Sequence, residues 1–183
     1  MGELSQTSAP AEITKVMPPR EVKRKAGVSF KAYQELKSSV HRDLLNKVDL
    51  EKVATVRDGG MRAQVFSVIR GLVSDLSTPL SAAERESLAL EVLDEVFGLG
   101  PLEPLLQDPT VSDILVNGYK TTYVERAGVL EETKVMFKDD AHLMNIIDKI
   151  LSGVGRRVDE SSPMVDARLA DGSRVNVIPP SSH

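Results

Sequence analysis

The sequence predicts an α+β protein in which a three-helix bundle precedes a small α/β unit. Three observations carry this expectation. Apolar residues recur at helical spacing in successive segments between Phe30 and Phe97. After Gly98 the pattern changes to short β-rich runs separated by turn dipeptides. One strongly one-sided helix, with its stripe from Leu143 to Val154, interrupts those runs, which places a helix on one face of an antiparallel or mixed sheet.

The elements follow in chain order. Residues 1–29 form a basic tail with Pro10, Pro18 and Pro19 and few large apolar side chains, so ordering it would cost more than burial returns. Residues 1–28 carry net charge +2 while the whole 183-residue chain carries −4. The Lys23-Arg24-Lys25 cluster reads mainly as a solubilising feature, with contact to an anionic lipid surface as the sharper option. Residues 30–98 are expected to be the bundle. Tyr33, Leu36, Val40, Leu44 and Val48 make the first stripe, and Val65, Phe66, Ile69, Leu72, Val73 and Leu76 the second, starting near Arg62 after Asp58-Gly59-Gly60. Ser81-x-x-Glu84 is a capping box that opens the third helix, and Gly98 and Gly100-Pro101 close it. Arg85, Glu86, Glu91, Asp94 and Glu95 read as a solvated outer face.

Residues 99–180 are expected to be the α/β unit, with 181–183 a terminal remnant. Leu102 to Leu106 is a helical turn, Asp113 to Val116 a strand closed by Asn117-Gly118, and Thr121–Glu125 with Val129–Phe137 a hairpin. Asp139 or Asp140 caps the long helix, and a last hairpin runs from Met164 to Ile178.

Composition excludes several functions. The chain has no Cys, which removes disulfides, thiol catalysis and Cys-ligated metals. His41, His142 and His183 are far apart in sequence, so no metal site is expected. No apolar run approaches the roughly 20 residues of a membrane helix, and there is no signal-peptide core, so the chain reads as soluble and intracellular. Net negative charge and a basic cluster without aromatics argue against nucleic acid. No G-x-x-x-x-G-K-[ST] phosphate loop occurs.

The last hairpin holds the sharpest chemistry. A two-residue loop would pair Leu169 with Arg174 and mix the faces. A three-residue loop over 170–172 pairs Val165 with Val177, Asp166 with Asn176, Ala167 with Val175 and Arg168 with Arg174, matching each pair in character. That register sets two arginines opposite each other, a repulsion of up to about 1 kcal/mol unless a carboxylate or an anionic ligand offsets it. Two guanidinium forks suit a phosphate. The plainer alternative is that Asp166 and Asp171 satisfy them locally.

Several runs resemble the CpaF/TadA family of secretion and pilus-assembly ATPases. They are Phe97-Gly-Leu-Gly-Pro-Leu-Glu-Pro-Leu-Leu106, Asp113-Ile-Leu-Val-Asn-Gly118, Tyr123-Val-Glu-Arg126 and Gly155-Arg-Arg-Val through Val175-Asn176. The resemblance implies the N-terminal region of a type II/IV secretion or Tad/Flp pilus motor, followed in full members by a RecA-like domain with Walker motifs. It implies Arg168 and Arg174 as the arginines that reach the terminal phosphate. Arg156 and Arg157 read instead as a helix-end pair that caps carbonyls. ATP and Mg²⁺ are then cofactors of the full-length protein, and none is bound stably by this chain alone. The implied partners are the chain's own motor domain, neighbouring subunits of a hexamer and inner-membrane platform proteins, with a cytoplasmic location at the inner face of the membrane. Without Walker A and Walker B residues this polypeptide alone is expected not to hydrolyse ATP. The contrasting reading is an interaction module that docks a platform protein or regulator through residues 29–100, without nucleotide.

Overall fold

The computed structural model describes residues 27–49, 59–154 and 164–180. The expected tail, apart from its last three residues, the Arg156-Arg157 pair and residues 181–183 lie outside the described residues.

Ser29 starts helix α1 (Phe30–Lys47) by accepting a hydrogen bond from the Ala32 N–H at 3.2 Å. Helix α2 (Gly59–Ser74) begins three residues earlier than the apolar stripe indicated. Its two glycines, Gly59 and Gly60, are the first described residues of this helix. Helix α3 (Ala82–Phe97) opens on the expected capping box, with both the Ser81 and the Glu84 hydrogen bonds made. Val40, Leu44, Val65, Ile69, Leu88 and Val92 from the three helices fill one core. The Arg85 guanidinium donates to the carbonyls of Val73, Leu76, Thr78 and Leu80, so it ties down the exit from α2 rather than facing water as the sequence indicated.

The Gly98-Leu99-Gly100-Pro101 corner leads through a 3₁₀ turn (Gly100–Leu102) into the short helix α4 (Glu103–Leu106). The Glu103 carboxylate accepts from the Leu99 N–H at 2.8 Å. Gly100 has φ +54°, and a Cβ there would lie 2.8 Å from Glu95 Oε1. The glycine is required twice over, by handedness and by the approach of that carboxylate.

The remaining chain forms β1 (Asp113–Asn117), β2 (Thr121–Arg126), β3 (Val129–Glu132), α5 (Asp140–Val154), β4 (Val165–Arg168) and β5 (Arg174–Ile178). The sheet order is β3-β2-β1-β5-β4. Pairing is antiparallel except between β1 and β5, so the sheet is mixed. Strand β3 stops at Glu132, short of the expected Phe137. Phe137 is buried and its N–H donates to the Tyr119 carbonyl at 2.8 Å, so the chain leaves the sheet to carry this ring into the core. Leu143, Ile146, Ile147 and Ile150 of α5 cover Ile114, Val116, Val124, Val175 and Val177, giving a second core. Side chains alternate across strands, so Asp113, Leu115, Arg174, Asn176, Asp166 and Arg168 point to the opposite face. Among the described residues the core draws nothing from that face.

Candidate functional site

The β4–β5 hairpin has the register of the three-residue loop: Val165 opposite Val177, Asp166 opposite Asn176, Ala167 opposite Val175 and Arg168 opposite Arg174. Gly172 has φ +91°, its N–H donates to the Leu169 carbonyl at 3.0 Å, and Leu169 N–H donates to the Ser173 carbonyl at 2.8 Å. Asp171 is exposed and accepts from the Ser173 N–H at 2.9 Å. It shapes the turn and pairs with neither arginine.

Both arginines stand exposed on the sheet face opposite the core, but their surroundings differ. Arg174 Nε and Nη2 donate to the two Asp166 oxygens at 3.1 and 2.8 Å. Both side chains are about half exposed, 48% and 51%. The Asp166 hydrogen bond, its charge and, more weakly, the Asp113 carboxylate raise the Arg174 pKa. Asp113 reaches this position because β1 pairs in parallel with β5, opposite Arg174. Antiparallel pairing puts Glu125 opposite Asp113 on the other side. One rank across the sheet therefore reads Glu125, Asp113, Arg174, Arg168, with acids on one side and bases on the other. Arg168, on the edge strand, has no hydrogen-bond or ion-pair partner among the described residues. A concentration of guanidinium donors at the rim of an open sheet can accept an anion without first giving up a buried bond.

A second charged cluster joins the two cores. His142 Nε2 lies 2.9 and 3.0 Å from the two Glu95 oxygens, and its Nδ1 accepts from the Lys138 N–H at 3.0 Å. That acceptor role leaves Nε2 as the nitrogen that carries the proton toward Glu95. Asp139 caps α5 by accepting from the His142 N–H at 2.8 Å. Lys37 approaches Glu95 to 3.4 Å, and Lys149 donates to the Glu95 and Gly98 carbonyls. The Lys37, Glu95 and His142 side chains are only 9%, 11% and 15% exposed. Asp94 is buried too, so the face of α3 expected in solvent is partly an internal seam. Burial works to raise the Glu95 pKa, and the His142 hydrogen bond with the Lys37 charge outweighs it, so the carboxyl lies below its ordinary value. Burial lowers the His41 pKa, against the pull of Glu95. A pocket of about 260 Å³ opens here, lined by Gln34, His41, Lys138 and Asn145 among others. Its lysines and carboxylates are already matched to each other or to hydroxyl and backbone groups, and this network ties bundle to sheet.

The sequence reading thus placed Arg168 and Arg174 together. It missed Asp113, which no local signal connects to the hairpin. It also missed the meeting of His41 and His142 around Glu95. Among the described residues no group of three or more His, Asp or Glu is arranged to hold a metal. No helix among them is long and apolar enough to cross a membrane.

Residues 95–182, just under half of the chain, match the family of type II/IV secretion system proteins. An uncharacterized protein of Methanocaldococcus jannaschii is 33% identical over 107 residues, covering 57% of this chain and 19% of that protein. The type IV secretion system protein VirB11 of Brucella suis is 29% identical over 107 residues, covering 58% of this chain and 28% of VirB11. The crystal structure of the Brucella suis VirB11 ATPase in complex with sulphate superimposes with a TM-score of 0.37 at 28% identity, covering 45% of this chain and 25% of that one. The chain thus spans less than a third of each of these relatives. The sequence matches support a module of the type II/IV secretion ATPase kind, and the matched span contains the corner, the sheet, α5 and the arginine hairpin.

Proposed function

We propose that the chain is the N-terminal region of a secretion or pilus-assembly motor ATPase of the CpaF/TadA type, and that its open sheet face closes over nucleotide held by a RecA-like motor domain. Arg168 and Arg174 then meet the terminal phosphate, where positive donors stabilise charge in phosphoryl transfer. Closure of one domain on the other brings them in. ATP and Mg²⁺ sit mainly on the motor domain, whose phosphate loop is not among these 183 residues. The bundle and sheet also supply surface for a hexamer and for membrane platform proteins at the cytoplasmic face.

The observation that carries this reading is the like-charged cross-strand pair Arg168 and Arg174, exposed on a face that no described element covers. A fold gains nothing from that juxtaposition by itself. The match to type II/IV secretion system proteins spans the same residues, and in this reading the terminal phosphate of a nucleotide is the anion that makes the pair useful. The test joins the chain, in cis or in trans, to the motor domain and measures ATP turnover. Arg168→Ala and Arg174→Ala should each lower it by about a hundredfold, the scale of removing one preorganised donor. Turnover equal to the parent in both variants rules the assignment out.

A further inference from the structure

Within the clamp reading just given, the two arginines are not equivalent. Asp166 engages the side edge of the Arg174 guanidinium, Nε and Nη2, at 3.1 and 2.8 Å. A guanidinium presents five N–H donors in a fixed plane, so a carboxylate on the Nε–Nη2 edge leaves the terminal Nη1–Nη2 edge open. Asp166 and Arg174 come from neighbouring strands, two register positions out of step on the same face, so backbone pairing holds both anchors of the fork. Arg168 lacks any such support among the described residues.

We propose that Asp166 is a positioning residue for Arg174: it holds the guanidinium by one edge so that the terminal edge is presented to a polyphosphate, while Arg168 is the unsupported arginine that orders only when the anion arrives. Asp166 therefore stays bonded to Arg174 in the bound state. The benefit is entropic, since a long side chain already held in place loses less freedom on binding. The pair is exposed, so its own contribution to folding is small, and its removal leaves the sheet intact.

The test uses the 183-residue chain and inorganic triphosphate, followed by NMR of the arginine Nε–Hε signals and by titration. Without triphosphate, the Arg174 Nε–Hε signal should exchange slowly with solvent and the Arg168 signal fast. Asp166→Ala should abolish the Arg174 protection without changing backbone amide signals elsewhere in the sheet. On adding triphosphate, the Arg168 signal should move and slow, while the Arg174 signal keeps its protection. Removing Asp166 also removes a negative charge near the anion, which by itself tightens binding, so the informative quantity is a double-mutant cycle. Asp166→Ala should weaken binding threefold to tenfold more in the parent than in the Arg174→Ala background, matching the ordering cost of one side chain. Equal effects in both backgrounds, or loss of Arg174 protection when triphosphate binds, overturn the positioning role and make Asp166 a bystander or a competitor. In that case Arg168→Ala and Arg174→Ala still weaken binding and the clamp reading stands. If neither arginine variant changes triphosphate binding, both fall together.

Discussion

The charged cluster at the seam and the one on the open sheet face of this protein differ most in burial. At the seam between bundle and sheet, Lys37, Glu95 and His142 are nearly enclosed, Glu95 pairs with both cations and both His142 nitrogens have partners. On the open sheet face, Asp166 and Arg174 form a pair about half in water, and Arg168 stands beside them with no described partner. A buried charged group must keep its partners, because losing one leaves the other desolvated. An exposed pair can lose a partner to solvent at little cost. The seam is therefore suited to holding two cores in register, and the open face to adding contacts with an anion.

The sharpest way to break this contrast is to remove a carboxylate from each cluster and compare stability. Glu95→Ala should destabilise by about 3–5 kcal/mol, as for a broken buried pair, read from chemical denaturation. Gly100→Ala should cost at least about 1–2 kcal/mol, because it forces a left-handed backbone and drives a methyl group into the Glu95 carboxylate. Both losses should appear as one cooperative shift if the seam couples the cores; a separate earlier transition of the bundle would show that it does not.

Acid should act on the same seam. The Glu95 pKa is depressed in the fold, so its stabilisation is present above about 4.5 and lost as pH falls through its lower folded value. His41 is also depressed, so stability is complete above about 6.5 and declines as pH drops below it, when the unfolded chain takes the proton more readily. Denaturation midpoints should thus fall in two stages, first below about 6.5 and then below about 4.5. His41→Asn should remove the first stage only. A midpoint that is flat from neutral to the carboxylate range contradicts the seam's role.

The smallest effects belong to the open face. Asp166→Asn should change stability by less than about 1 kcal/mol. Arg168→Ala should be neutral or stabilising by up to about 1 kcal/mol, because it removes a like charge directly across from Arg174. A loss of several kcal/mol from either substitution would mean that this face is structural.

Much of this was legible from the chain, and the reasons are local. Helical spacing, the Ser81–Glu84 box and the turn at Asp171-Gly172 act over a few residues, and each appears where the pattern places it. The hairpin register followed from side-chain alternation, which favours the three-residue loop over the two-residue one, and that register is observed. What escaped was non-local. Glu95 looked like one more charge on a helix surface until α5 brought His142 against it, 47 residues on. Asp113 joined the arginine rank only because β5 returns parallel to β1, a crossover that no dipeptide announces. Lys37 falls within the apolar stripe of α1 and Gln34 beside it, and both are buried where they line the pocket shared with α3 and α5.

The most direct measurement pairs turnover with stability in the chain joined to its motor domain, using Arg168→Ala and Glu95→Gln side by side. We expect Arg168→Ala to keep the parent's thermal midpoint and lose turnover by about a hundredfold. We expect Glu95→Gln to lower the midpoint while folded enzyme, assayed well below that temperature, retains turnover within a few fold. Parent-like turnover in Arg168→Ala, or the same fractional loss in both variants, would contradict a division between a structural seam and a functional face.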